Sequence, residues 1–131
     1  MFKQIKTSRE NKEVVSRLTK KLNLGKENVI ARIAFMYSLS LNRKFDINKI
    51  EDSGGKEYSR SVLFGDYFDI YIALICTHYG LYNEDASISR YVKVHVDDGL
   101  QLLNDEVNNG NDIPLLINKL NLGLQELKTL S

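Results

Sequence analysis

Cysteine is almost absent from this 131-residue sequence: Cys76 stands alone and can form no internal disulfide. Histidine is nearly as scarce, and His78 and His95 with one thiol are too few soft ligands for a structural zinc site. No apolar run approaches the roughly 18 residues that a membrane span needs. The N-terminus also lacks the apolar stretch of a secretory signal, so the expected location is the cytoplasm, away from membranes. Gly54-Gly55-Lys56 lacks the spacing and flanking strand of a nucleotide-binding loop. Catalytic constellations are equally sparse. Cys76 and His78 lie two apart on an apolar stretch, where helical side chains diverge by roughly 200°. Asp97 and Asp98 are adjacent, point in different directions and read as a solvated pair. The expectation is a protein that is not an enzyme and needs neither metal nor cofactor.

What is present is a chain with a real core: 43% of its residues are hydrophobic and 27% charged, the balance of an ordinary globular protein. Its length fits one domain, residues 1–131. The formal charge of +1 hides a division. Residues 1–44 hold eleven Lys and Arg against three acids, a net of +8, whereas the rest holds seven bases and fourteen acids, a net of −7. A basic strand and helix-turn-helix part (1–44) thus precedes an acidic helical part (60–131). A basic third suits a polyanion, and an acidic remainder suits solubility or protein partners. The alternative is a solvated, charged helix.

The first seven residues, Met-Phe-Lys-Gln-Ile-Lys-Thr, alternate imperfectly and end at a helix start. Thr7 or Ser8 can cap it, with Glu10 three residues after Thr7 as a capping box requires. Helix one then runs to about Leu22. Val14, Val15, Leu18 and Leu22 share one face, while Arg9, Arg17 and Lys20 lie opposite, flanked by Lys12 and Lys21. Glu13 can pair with Arg17 one turn on and neutralise part of that field. Gly25 supplies a turn before a second helix, Val29 to Leu41, apolar on nearly every side except at Arg32 and therefore buried. Strand, basic helix, tight turn and buried helix follow the order of a ribbon-helix-helix module within a mainly α, compact helical domain.

Residues 42–58 are polar and include the turn signal Asp52-Ser-Gly-Gly55, marking a mobile loop before apolar character resumes at Ser61-Val-Leu-Phe64. A third helix is predicted from about Asp66 to Tyr79, stopped by Gly80. A fourth, from about Ser87 to Val107, buries Tyr91, Val92, His95, Val96, Leu102 and Leu103. Gly99 sits inside it at a cost of about 1 kcal/mol relative to alanine, which marks close helix contact. A last helix begins near Pro114, its stripe of Leu116, Ile117, Leu120, Leu124 and Leu127 closing the core or meeting another subunit.

Three blocks carry a family resemblance: Asn28-Val-Ile-Ala-Arg-Ile-Ala-Phe-Met-Tyr-Ser-Leu-Ser-Leu41, Gly55-Lys-Glu-Tyr-Ser-Arg60 and Leu63-Phe-Gly-Asp-Tyr-Phe-Asp-Ile-Tyr-Ile-Ala-Leu74. With the basic first helix before them and Gly99-Leu-Gln-Leu-Leu103 after them, residues 5–107 resemble the DndE family of DNA sulfur-modification (phosphorothioation) proteins. The resemblance implies a mostly helical subunit related to ribbon-helix-helix proteins. It further implies a homo-oligomer, a tetramer, that binds duplex DNA with a preference for nicks. Partner proteins of the modification complex, a desulfurase and an iron-sulfur protein among them, would mobilise the sulfur, leaving this chain without a cofactor. The last helix stands outside the matched part. Individual DNA-contacting residues do not carry over.

Charge and helix face alone therefore nominate the DNA contacts: Lys6, Arg9, Lys12, Arg17, Lys20, Lys21 and Lys26, with Arg43 and Lys44 assisting. Phosphate contacts of this kind position without reading sequence. Two other functions compete. A non-DNA-binding adaptor would use the acidic region and leucine stripe, and a ribbon-helix-helix transcriptional regulator would read an operator through its strand.

Overall fold

The computed structural model describes residues 2–49 and 52–110, so the predicted helix beginning near Pro114 and its leucine stripe lie outside the described residues. Strand β1 (Gln4–Lys6) leads into α1 (Arg9–Lys21) and α2 (Glu27–Ser40). After a 3-10 turn at Ile47–Lys49 come β2 (Glu57–Ser59), the short α3 (Arg60–Phe64) and a second 3-10 turn, Gly65–Tyr67. Helices α4 (Phe68–Tyr79) and α5 (Ile88–Asn108) follow. The fold is mainly α, with a strand-then-helices N-terminal part like that of ribbon-helix-helix proteins.

The ribbon is built within one chain. β1 pairs antiparallel with β2 in the register Gln4↔Ser59, Ile5↔Tyr58, Lys6↔Glu57. Ile5 and Tyr58 are buried and their strand neighbours exposed, the period-two pattern of a strand with one dry face. Residues 42–58, expected as a mobile loop, therefore hold half of the ribbon. They also close α1. Asp52 Oδ1 accepts from the Arg9 amide at 2.8 Å and the Gly54 amide at 2.8 Å, and these bonds hold its carboxyl below the usual range. The capping box expected from Thr7 and Glu10 is not what ends the helix. Thr7 Oγ1 instead accepts from the Lys56 amide at 2.9 Å, across the loop. Gly55 is needed there, because a Cβ would stand 2.2 Å from the Ser8 carbonyl oxygen.

Helix α2 is the centre of the core, packing against α5, α1 and α3. Ile30, Ala31, Ala34 and Phe35 are fully buried. Phe35 meets Phe64 and Tyr71 edge-on, and those two rings stack 4.6 Å apart. Arg32, the one basic residue on this helix, donates from Nε to the Leu63 carbonyl at 2.7 Å. The closest crossing is at Gly99, where α5 touches the α2 backbone: a Cβ there would lie 1.8 Å from the Ala34 carbonyl oxygen. Ser59 starts α3 by accepting from the Val62 amide at 3.2 Å. Sequence periodicity missed α3 because five residues are too few to show a period.

Candidate nucleic-acid interface

Helix α1 separates its two faces cleanly. Asn11, Val14, Val15, Leu18 and Thr19 are buried; Arg9, Arg17 and Lys20 are exposed on the opposite side together with Glu10 and Glu13, and Lys12 and Lys21 are exposed at its two flanks. Thirteen residues at about 1.5 Å each make a cationic stripe roughly 20 Å long. Lys26, in the turn after α1, and Lys44, after α2, are exposed as well. Among the described residues, Lys12, Lys20, Lys21, Lys26 and Lys44 have no ion-pair partner. Arg17 does not pair with Glu13 as expected; its Nη2 donates to Asn104 on α5. Lys6 lies 4.0 Å from Glu57 across the ribbon, an exposed contact of little energetic weight.

Arg43 stands apart from the stripe. Its Nε and Nη2 donate to the two oxygens of Asp98 at 2.8 and 2.9 Å, a bidentate pair that already matches its charge. Asp97 and Asp98 do diverge on α5 as expected, but they are not a solvated pair. Asp97 Oδ1 accepts from the Ser8 amide at 2.9 Å and from Asn11 Nδ2 at 2.8 Å, and its Oδ2 accepts from the buried Lys93 ammonium at 2.6 Å. The two acids thus anchor the start of α1 and the end of α2 to α5. Apart from Lys93, four residues before Asp97, these partners lie more than fifty residues away, so adjacent carboxylates in a sequence carry little sign of them.

Below Asp98 lies a buried polar chain that sequence reading missed. Ser38 Oγ donates to Asp98 Oδ2 at 2.7 Å and lies 2.7 Å from His95 Nδ1. His95 Nε2 lies 2.6 Å from the Tyr79 hydroxyl, whose oxygen accepts from the Phe45 amide at 3.1 Å. Asp98 can only accept, so the Ser38 proton goes there and Nδ1 of His95 carries the hydrogen that Ser38 accepts. Nε2 is then the acceptor for Tyr79. Such a ring is neutral, and burial, with the nearby His78, pushes its pKa down to about 4. Ser38 and His95 are completely shielded from solvent, and the serine proton points away from the imidazole. The arrangement clamps α2, α4, α5 and the Arg43–Phe45 segment rather than activating a nucleophile. Cys76 is buried, and burial raises its thiol pKa, the opposite of an activated thiolate. Among the described residues no group of three His, Cys, Asp or Glu could hold a metal ion, and no helix is long and apolar enough to cross a membrane.

The family model described as "DNA sulphur modification protein DndE" matches residues 4–111. The chain belongs to the DndE family. The fold agrees: the crystal structure of DndE from Escherichia coli B7A, involved in DNA phosphorothioation modification, superposes with a TM-score of 0.63 at 19% identity. That match covers 79% of this chain and 98% of the E. coli chain. No curated protein matches by sequence. This DndE-family chain thus shares the fold of the E. coli protein over nearly all of the latter's length, and its basic α1 lies within the family match.

Proposed function

We propose that this chain is a non-catalytic, DNA-binding accessory protein of a DNA phosphorothioation system, acting with the other proteins of that system. It binds duplex DNA as a homo-oligomer, a tetramer, and favours nicked over intact duplex. One observation carries the reading: α1 exposes Arg9, Arg17 and Lys20 on the side opposite its core with Lys12 and Lys21 at the two flanks, and none of these three lysines has an ion-pair partner among the described residues. Contacts from such a face go to phosphates and are steeply salt-dependent. Repetition of the stripe by symmetry would multiply them. A nick lowers the cost of bending a duplex across several stripes. The ribbon-helix-helix regulator loses support. The pairing of β1 with β2 in one chain weighs against a ribbon shared between two repressor subunits.

The test is fluorescence anisotropy with matched intact, nicked and single-stranded DNA over a salt series, comparing wild type with an Arg17→Ala, Lys20→Ala, Lys21→Ala triple variant. Tightest binding to nicked duplex is expected. In the variant the slope of log K against log salt should become shallower by about two to three, since each lost phosphate contact removes about 0.9. Absence of binding by folded wild type would refute the reading.

A further inference from the structure

The β1–β2 register brings Lys3 and Arg60, fifty-seven residues apart in sequence, to the same end of the ribbon, where the Arg60 amide donates to the Lys3 carbonyl at 3.0 Å. Around them opens a cleft of about 500 Å³ lined by Phe2, Lys3, Ser59, Arg60 and Ser61. No carboxylate lines it. Glu57, two residues back on β2, faces Lys6 at the other end of the ribbon.

Every polar side chain that lines the cleft can donate a hydrogen bond. The Arg60 guanidinium sits 4.6 Å above the Phe68 ring, a contact that holds its planar fork while leaving the N–H edges unused. Phe68 is in turn braced edge-on by Phe2. Ser59 and Ser61 place their hydroxyls 3.4 Å apart beside it. The two hydroxyls are hydrogen-bonded to each other and Ser59 Oγ also accepts from the Val62 amide, so one proton of the pair remains available to donate. Lys3 is exposed and has no ion-pair partner among the described residues.

We propose that this cleft is a phosphate subsite that takes a backbone phosphodiester of DNA, with Arg60 as the planar donor, Lys3 as the point charge and the one free proton of the serine pair as a further donor. The proposal rests on the DNA-binding reading above and extends the interface beyond α1. Lys3 to Lys6 spans about 10 Å at strand rise, and the start of α1 is at most about 20 Å from the cleft. Both distances are shorter than one duplex turn of about 34 Å.

The experiment measures duplex binding by anisotropy over a salt series for wild type, Lys3→Ala, Arg60→Ala and Arg60→Lys, with the triple variant of α1 as reference and a thermal melt of each protein. Lys3→Ala and Arg60→Ala are each expected to weaken binding about three- to tenfold and to make the salt slope shallower by about 0.9. Arg60→Lys, which keeps the charge but not the fork, should fall between. If Arg60→Ala melts early because Phe68 loses its cover, Lys3→Ala decides, since that side chain supports no packing. Wild-type affinity and slope in Lys3→Ala and in a folded Arg60→Ala, alongside weakened binding by the α1 variant, would overturn the subsite and leave the DNA-binding reading standing. No binding by wild type would overturn both.

Discussion

Replacing Gly99 with alanine sets two effects of opposite sign against each other. On an isolated helix the change stabilises by about 1 kcal/mol. In this fold the new Cβ would lie 1.8 Å from the Ala34 carbonyl oxygen and 2.3 Å from the carbonyl carbon. An ordinary carbon–oxygen contact is about 3.3 Å or more, so α5 must recede from α2 by about 1.5 Å, and backbone atoms cannot swing aside as a side chain can. A gap of half that size already forfeits a quarter to a half of the dispersion energy of the atoms it separates. The affected atoms include the fully buried Ile30, Ala31, Val96, Leu100 and Leu103. The 2.7 Å bonds from Ser38 to His95 and Asp98 would stretch beyond hydrogen-bonding range. Overpacking costs about 1–3 kcal/mol, and two buried bonds lost add about 1 kcal/mol each. The net is a destabilisation of about 3 kcal/mol, a large part of the 5–15 kcal/mol available to a typical small protein. Urea unfolding followed by far-UV circular dichroism measures it. Gly80→Ala is the control: its Cβ would meet nothing within 4 Å, and only the left-handed φ of +69° should cost about 1 kcal/mol. A Gly99→Ala protein as stable as wild type, or more so, would refute the close crossing.

Three further outcomes follow from the polar contacts. His95 has an unfolded pKa of 6.5 and a folded one of about 4, so it contributes stability that is present above pH 6.5 and lost as pH falls toward 4. Unfolding free energy should drop by about 2 kcal/mol between pH 7.5 and pH 5, a loss that His95→Gln should abolish; Asp52 and Asp85, held below the usual carboxylate range, act only in more acidic solution. Asp97→Ala leaves the buried Lys93 ammonium unpaired and the Ser8 amide without its acceptor, and should cost about 3 kcal/mol or more in the same unfolding assay. Arg43→Ala should leave duplex affinity within about twofold of wild type in the anisotropy assay while lowering stability by about 1 kcal/mol, because the half-exposed pair with Asp98 is a tie between elements.

Much of the framework was legible in advance because amphipathic helices write their period into the sequence. Val14, Val15 and Leu18 against Arg9, Lys12, Arg17 and Lys20 predict both faces of α1, and the near-continuous apolar run of α2 predicts its central burial. Gly99 announces a close contact by standing where a helix would favour alanine, and Gly80 announces the end of α4. Short elements carry no such record. Three residues of β2 and five of α3 show no period, so the polar stretch around them reads as loop although it completes the ribbon and caps α1.

Composition and periodicity depend on residues within a turn or two of one another, and they determined the four longer helices, the buried face of α1, the central burial of α2 and the exposed bases of α1. Only the tertiary structure decided which charges are already matched, because hydrogen bonds and ion pairs form between groups that the fold brings within about 3 Å, whatever their separation along the chain. Arg43 looks like the other bases of the first 44 residues until Asp98 closes on it, and Asp97 looks solvated until Ser8, Asn11 and Lys93 surround it. Lys3 and Arg60 look unrelated until the strand register sets them on one cleft.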